Sequence, residues 1–194
     1  MVKVHNRIKI MISIFWFLAL TVVVSYFSRF HMIAFENKPI ELSSLNQHQQ
    51  DSAKIKIHHF LSTTCGCSKK ILDYLTQRQK TSQFDEKVYL VENIDGWKEK
   101  LTKAGFEVEI LTEETAQTQY GIDSVPLLVM TQKDHKLYQG GYNEQQMHNR
   151  DYHDLDIAQG LLKQNLQIKT YPLFGCANGK LAKKAQDPLG VKYE

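Results

Sequence analysis

The chain opens on an unbroken apolar run. Residues 10–27 read IMISIFWFLALTVVVSYF, without a charged side chain and with polar groups only at Ser13, Thr21, Ser25 and Tyr26. A helix rises 1.5 Å per residue, so about 20 apolar residues cross a bilayer. This run approaches that length and exceeds the roughly 7–15 residues of a secretory signal core. It is expected to be an uncleaved transmembrane anchor. The alternatives are a cleaved signal and a buried soluble helix, but neither Ser25-Tyr26-Phe27 nor Ser28-Arg29-Phe30 makes a good small-x-small cleavage site. The expected organisation is a cytoplasmic N-terminus at 1–9, the anchor at 10–27, a tether at 28–52 and one folded domain at 53–194. Gln47, Gln49 and Gln50 make the tether polar.

From Lys54 onward the period of the apolar positions changes repeatedly. Ile55, Ile57, Phe60 and Leu61 predict a strand ending at Ser62-Thr63-Thr64. His58 and His59 fall inside that strand, one expected to face solvent and the other a helix. Cys67, Ile71, Tyr74, Leu75 and Arg78 then keep helical spacing. Val88–Val91 is a second strand, and Trp97–Ala104 a short helix stopped by Gly105. Phe106, Val108 and Ile110 alternate as a third strand, and Glu113–Tyr120 makes a short helix or turn. Val125-Pro126 opens the very apolar strand Leu127–Met130, with a hairpin partner at Leu137-Tyr138 and a bend at Gly140-Gly141. Leu155, Ala158, Leu161, Leu162 and Leu166 mark a last amphipathic helix. This order predicts an α/β domain, a mixed sheet flanked by helices. Tyr138, Tyr142 and Trp97 are expected in its core or rim, and Lys180, Lys183 and Lys184 on a solvated face of the tail.

Charge adds a direction. Lys3, Arg7, Lys9 and Arg29 are the only charged residues among the first thirty, and the rest of the chain carries 20 basic and 21 acidic side chains. The positive-inside rule keeps the N-terminus in the cytoplasm, placing the domain in the periplasm or another extracytoplasmic space. The anchor then sits in the inner, cytoplasmic membrane. With no basic stripe there is no case for a nucleic-acid partner.

The chain has three cysteines, Cys65, Cys67 and Cys176. Two cysteines one residue apart, at a predicted strand-to-helix junction, point to redox chemistry or a metal clip. The N-terminus of a helix favours thiolate through its unpaired N–H groups and dipole, and Lys69 and Lys70 add positive charge. A Cys65–Cys67 disulfide would close a very small ring, which Gly66 helps to accommodate. In the metal reading, Cys65, Cys67 and Cys176 with His58 or His59 would hold a soft ion such as Cu(I). Structural histidines and a buried, inert Cys176 are the plainer alternatives. The apolar tail before Cys176, with Pro172 and Gly175, is expected to pack back on the domain and bring Cys176 near enough to Cys65 or Cys67 to exchange with it, as an accessory redox thiol.

The Cys65-Gly66-Cys67 turn at a strand-to-helix junction, with Val125-Pro126 before a later strand, resembles the thioredoxin-like superfamily over about Lys54–Leu166. With Gly140-Gly141-Tyr142 and Gly175-Cys176, the chain also looks like membrane-anchored C-x-C proteins of the RedB-like type. The resemblance implies redox cysteines at a helix N-terminus facing a cis-proline loop; Cys65, Cys67 and Pro126 match those positions. Two departures stand out: Thr64 replaces the usual aromatic residue, and one residue rather than two separates the cysteines. The implied activity is a membrane-tethered thiol-disulfide oxidoreductase acting on exported protein thiols, with Cys65 as nucleophile, Cys67 as resolving thiol and no organic cofactor. A Cu(I) metallochaperone using the same cysteines and a redox-inactive interaction module are the competing readings.

Overall fold

A computed structural model of the chain describes residues 2–31, 34–40, 45, 54–133, 135–144, 151–163, 168–187, 190 and 193. Much of the expected tether, including Gln47, Gln49 and Gln50, lies outside them, as does Leu166. The chain divides into two compact units, Met1–Ile33 and Ala34–Glu194.

The first unit is one helix, α1 (Val2–His31). Its stretch Arg7–Tyr26 is 20 residues long, apolar and without burial against protein. It is therefore long and apolar enough to span a membrane.

The second unit is built on a five-stranded mixed sheet. In chain order it contains β1 (Lys56–Ser62), α2 (Gly66–Arg78), β2 (Asp85–Val91), α3 (Trp97–Lys103), β3 (Glu107–Leu111) and α4 (Glu113–Thr118). There follow β4 (Ser124–Val125), β5 (Leu127–Gln132), β6 (His135–Gly140), α5 (Asp154–Leu162), β7 (Cys176–Ala177) and α6 (Lys180–Gln186). The sheet order is β3-β2-β1-β5-β6. β1 pairs parallel with β2 and antiparallel with β5, β2 pairs parallel with β3, and β5 forms an antiparallel hairpin with β6. β4 and β7 form a separate two-stranded ladder.

Successive side chains of a strand point to opposite faces. In β1, Ile57 and Leu61 join one core with Ile71, Leu72 and Leu75 of α2, Leu101 of α3 and Ile157 and Ala158 of α5. Phe60 joins the other core, with Tyr89, Ala116 of α4, Val125 and Leu173. Every residue of β1 is buried. This corrects the expectation for the histidines: neither faces solvent, because both faces of this central strand are covered. Trp97, Tyr138 and Tyr142 are buried, as expected of core residues.

His59 lies within a buried polar network. It bonds Tyr142 Oη at 2.9 Å and Glu86 Oε2 at 3.3 Å. Arg78 donates to both Glu86 and Asp154, and Tyr74 donates to Asp154 at 2.9 Å. Burial pushes the Glu86 carboxyl up, but the bonds and charges of His59 and Arg78 outweigh it and hold it at about 2. On the opposite face, His58 Nε2 lies 3.1 Å from Thr131 Oγ1. Burial, helped by His59, Lys56 and Lys87, lowers the His58 imidazole to about 3.

Part of the 28–52 segment belongs to the domain. Phe35 N donates to Leu173 O at 2.8 Å, Asn37 Nδ2 donates to Gln139 O at 2.7 Å, and Ile40 and Leu45 enter the second core. The tail is structured too, in β7 and α6.

Candidate functional site

The site stands at the C-terminal end of β1, where the chain turns from sheet to helix. Ser62 and Thr64 shape this turn: Thr64 N donates to Ser62 Oγ at 3.2 Å, and the two hydroxyls lie 2.9 Å apart. Cys65 N donates to Ser62 O at 3.3 Å, and Cys65 O accepts from Lys69 N at 2.9 Å, starting α2. Cys65 is the N-cap residue, in extended conformation (φ −92°, ψ 121°), and the first turn carries no acid. No acidic side chain of its own first turn therefore opposes the dipole of this 13-residue helix at Cys65. Lys69 is exposed and pairs with Asp95 at 3.8 Å, so part of the positive charge expected beside the cysteines is neutralised.

Cys65 is bonded to Cys176. Their Cα atoms are 5.9 Å apart across 111 residues of sequence. The cysteine expected as its partner, Cys67, lies outside this disulfide. Residues i and i+2 of a helix do not face each other, and Cys67 occupies the second position of α2 while Cys65 caps it. Cys67 is partly buried and packs between the two cores.

The tail reaches Cys65 through β4. Val125 pairs with Cys176 and Ser124 with Ala177. Asn178 N donates to Asp123 O and its side-chain amide to Ile122 O, each at 2.7 Å. The Val125-Pro126 peptide is cis, the form the resemblance implies. Cys65 Sγ lies 3.7 Å from Val125 O. Cys65, Cys176 and the residue preceding Pro126 therefore meet at one place.

Gly175 makes this approach possible. A Cβ there would stand 2.0 Å from Val125 O and 2.6 Å from Pro126 Cδ. Sequence reasoning noticed the glycine and the apolar tail; it could not see the two-residue ladder, which is too short to leave a period.

Beside the disulfide opens a cleft of about 500 Å³. Cys176, Thr64, Glu92, Glu113 and Lys183 line it, whereas Cys65 does not. Cys65 is 1% exposed, and Cys176 is partly exposed. Lys183 pairs with Glu113, tying α6 to α4, so this lysine is not simply part of a solvated face. Glu92 sits at positive φ (62°), held by a bond from its N–H to Leu111 O at 2.9 Å.

The structure does not bring His58 or His59 to the cysteines. His58 lies four residues, about 13 Å of extended strand, before the end of β1. His59 points into the Arg78 network. A Cu(I) site of Cys65, Cys67 and Cys176 requires the reduced chain, because bonded sulfurs are not thiolates. Elsewhere, ligand atoms of His59, Glu86 and Asp154 lie within 4.8 Å of one another. The Arg78 guanidinium pairs with both carboxylates of that group.

No protein-family model matches the chain, and no curated protein matches it. Among solved structures, it is similar to an uncharacterized conserved protein from Geobacillus kaustophilus, at 13% identity and TM-score 0.47, over 67% of this chain and 79% of that one. It is also similar to a hypothetical protein from Sinorhizobium meliloti 1021, at 16% identity and TM-score 0.47, over 66% of this chain and 80% of that one.

Proposed function

We propose that this chain is a membrane-tethered thiol-disulfide oxidoreductase of thioredoxin-like fold, acting on exported protein thiols through a Cys65–Cys176 couple. One observation carries the reading: Cys65, capping the helix after the first strand, is bonded to a cysteine paired with the residue before Pro126. The parallel β1-α2-β2 unit and the antiparallel β5-β6 hairpin support the fold assignment.

The resolving chemistry of this reading differs from a simple Cys65–Cys67 pair. A dithiol partner opens the Cys65–Cys176 disulfide through a mixed disulfide and leaves as a disulfide itself, while both protein sulfurs become thiols. Cys67, one residue from Cys65, supplies a third thiol that competes for the mixed disulfide.

The apolar helix tethers the domain, and the basic residues before it favour a cytoplasmic N-terminus and an extracytoplasmic domain. An oxidising compartment is where a long-range disulfide persists.

Incubation of the oxidised protein with a reduced, unfolded disulfide protein tests the reading. Disulfide transfer is expected, lost in both Cys65→Ser and Cys176→Ser. Absence of transfer, together with failure of the reduced chain to reduce insulin, would contradict it.

A further inference from the structure

The two sulfurs of the bonded pair are not equivalent. Cys65 is buried against Val125 and the second core, while Cys176 is partly exposed and lines the cleft. Thiol-disulfide exchange requires the attacking sulfur to reach one disulfide sulfur and proceeds faster when the other leaves readily as thiolate. Cys65 caps α2, whose first-turn N–H groups and dipole favour a departing negative charge. Access and leaving ability thus select the same direction.

We infer that the incoming thiol is received on Cys176 from the cleft, with Cys65 as the leaving group, and that the preferred thiol carries no net negative charge. This rests on the oxidoreductase reading above. It reverses the order expected from the C-x-C motif, in which Cys65 takes the partner. In the first step a substrate thiolate, R–S⁻, forms a bond to Cys176 Sγ as the Cys65–Cys176 bond breaks. The electron pair of that bond leaves on Cys65 as thiolate. In the second, the other thiol of a dithiol substrate, as thiolate, attacks the substrate sulfur bonded to Cys176. The substrate departs as a disulfide and Cys176 as thiolate. Two electrons pass from the substrate dithiol to the protein disulfide, and the substrate's two protons go to solvent or to the new thiolates.

The charge preference follows from the cleft wall. Among the described residues that line the cleft, Glu92 and Glu113 are the acids and Lys183 the cation, and Lys183 pairs with Glu113. The Glu92 carboxylate makes no ion pair among the described residues, and its backbone sits at positive φ and is bonded to β3. Its field attracts a cationic thiol and repels an anionic one.

The test uses the full-length oxidised protein in detergent. A Cys67→Ser variant, which prevents adducts from migrating to that position, is mixed with cysteamine, acid-quenched within its first turnover, alkylated and mapped by mass spectrometry. The adduct is expected on Cys176, in roughly tenfold or greater excess over Cys65. An adduct mainly on Cys65 would overturn the inference while leaving the oxidoreductase reading intact. A disulfide that excess dithiothreitol does not open under native conditions would overturn both. In the wild-type chain, which does not depend on the variant folding, cysteamine is expected to open the disulfide about three to ten times faster than 2-mercaptoethanesulfonate, at equal thiolate concentration and low salt. Glu92→Gln is expected to remove most of that difference. Equal rates in the wild type, or a preference unchanged by Glu92→Gln, would defeat the assignment of the cleft.

Discussion

Val125 and Cys176 face each other across the two-residue β4–β7 ladder, and Val125 O lies 3.7 Å from the sulfur of Cys65. One residue therefore positions both ends of the disulfide. Its backbone holds the tail strand that carries Cys176, and its carbonyl lies against Cys65 at the helix cap. The site depends on backbone proximity between segments distant in sequence.

Gly175 is the residue whose substitution should disturb this relationship most directly. A Cβ would collide with backbone and proline ring atoms that cannot swing aside. Gly175→Ala is expected to loosen β7 from β4 and raise the initial rate of disulfide reduction by dithiothreitol several-fold. A rate equal to that of the wild type would show that the tail is not seated on Val125.

The disulfide closes a loop between residues 111 apart. In the chain-entropy account a closure of this length restricts the unfolded state by up to about 4.7 kcal/mol, and measured losses are typically about 2–4 kcal/mol. Cys176→Ser is expected to lower the unfolding free energy of the domain by about that amount under oxidising conditions. Under reducing conditions the two proteins should differ little. Urea melts with and without reductant measure this directly.

The sequence pattern foretold the mixed sheet well, because long apolar runs such as Leu127–Met130 leave a period or a dense apolar block. It also foretold that the apolar tail folds back and brings Cys176 close to the cysteine loop, but not which cysteine it bonds or the ladder that seats it. β7 has two residues, and the pairing of Cys176 with Cys65 depends on a route through space that local spacing does not encode. The nearness of Gly66 to both cysteines instead drew attention to a Cys65–Cys67 bond. His58 and His59 misled for a related reason: the rule that adjacent strand residues point to opposite faces held, but both faces of β1 are covered. Arg78 read as the end of a helical stripe, yet its guanidinium organises Glu86 and Asp154 inside the domain.

His58 gives the stability a dependence on pH. Its imidazole is held neutral by burial and binds protons only near about 3, against 6.5 when unfolded. Between those values the unfolded state binds more protons, so stability rises with pH and falls as the solution is acidified from 6.5 toward 3. Glu86, depressed from 4.5 to about 2, adds a further loss only below 4.5. His58→Leu is expected to reduce the loss between pH 7 and pH 4.5 by roughly 1–3 kcal/mol, read from urea unfolding at the two pH values. Identical pH dependence in the variant would contradict the buried neutral imidazole.

Arg78 joins two fully buried carboxylates. Removing one member of a buried ion network leaves uncompensated charge and costs about 3–5 kcal/mol. Arg78→Leu is expected to destabilise the domain by that order at pH 7. A substitution neutral in thermal melts would mean that the carboxylates find other compensation.

The central claim is that Cys65 and Cys176 form the reversible redox couple. Its most direct measurement is an equilibrium titration of the full-length protein through a series of dithiothreitol buffers, with acid quenching, alkylation and mapping of each cysteine by mass spectrometry. Cys65 and Cys176 are predicted to become alkylatable together, as one two-electron transition, with their linked peptide as the oxidised species and the same pairing in Cys67→Ser. A linked Cys65–Cys67 peptide as the principal oxidised form, or a Cys65–Cys176 bond that opens only after the domain unfolds, would contradict it.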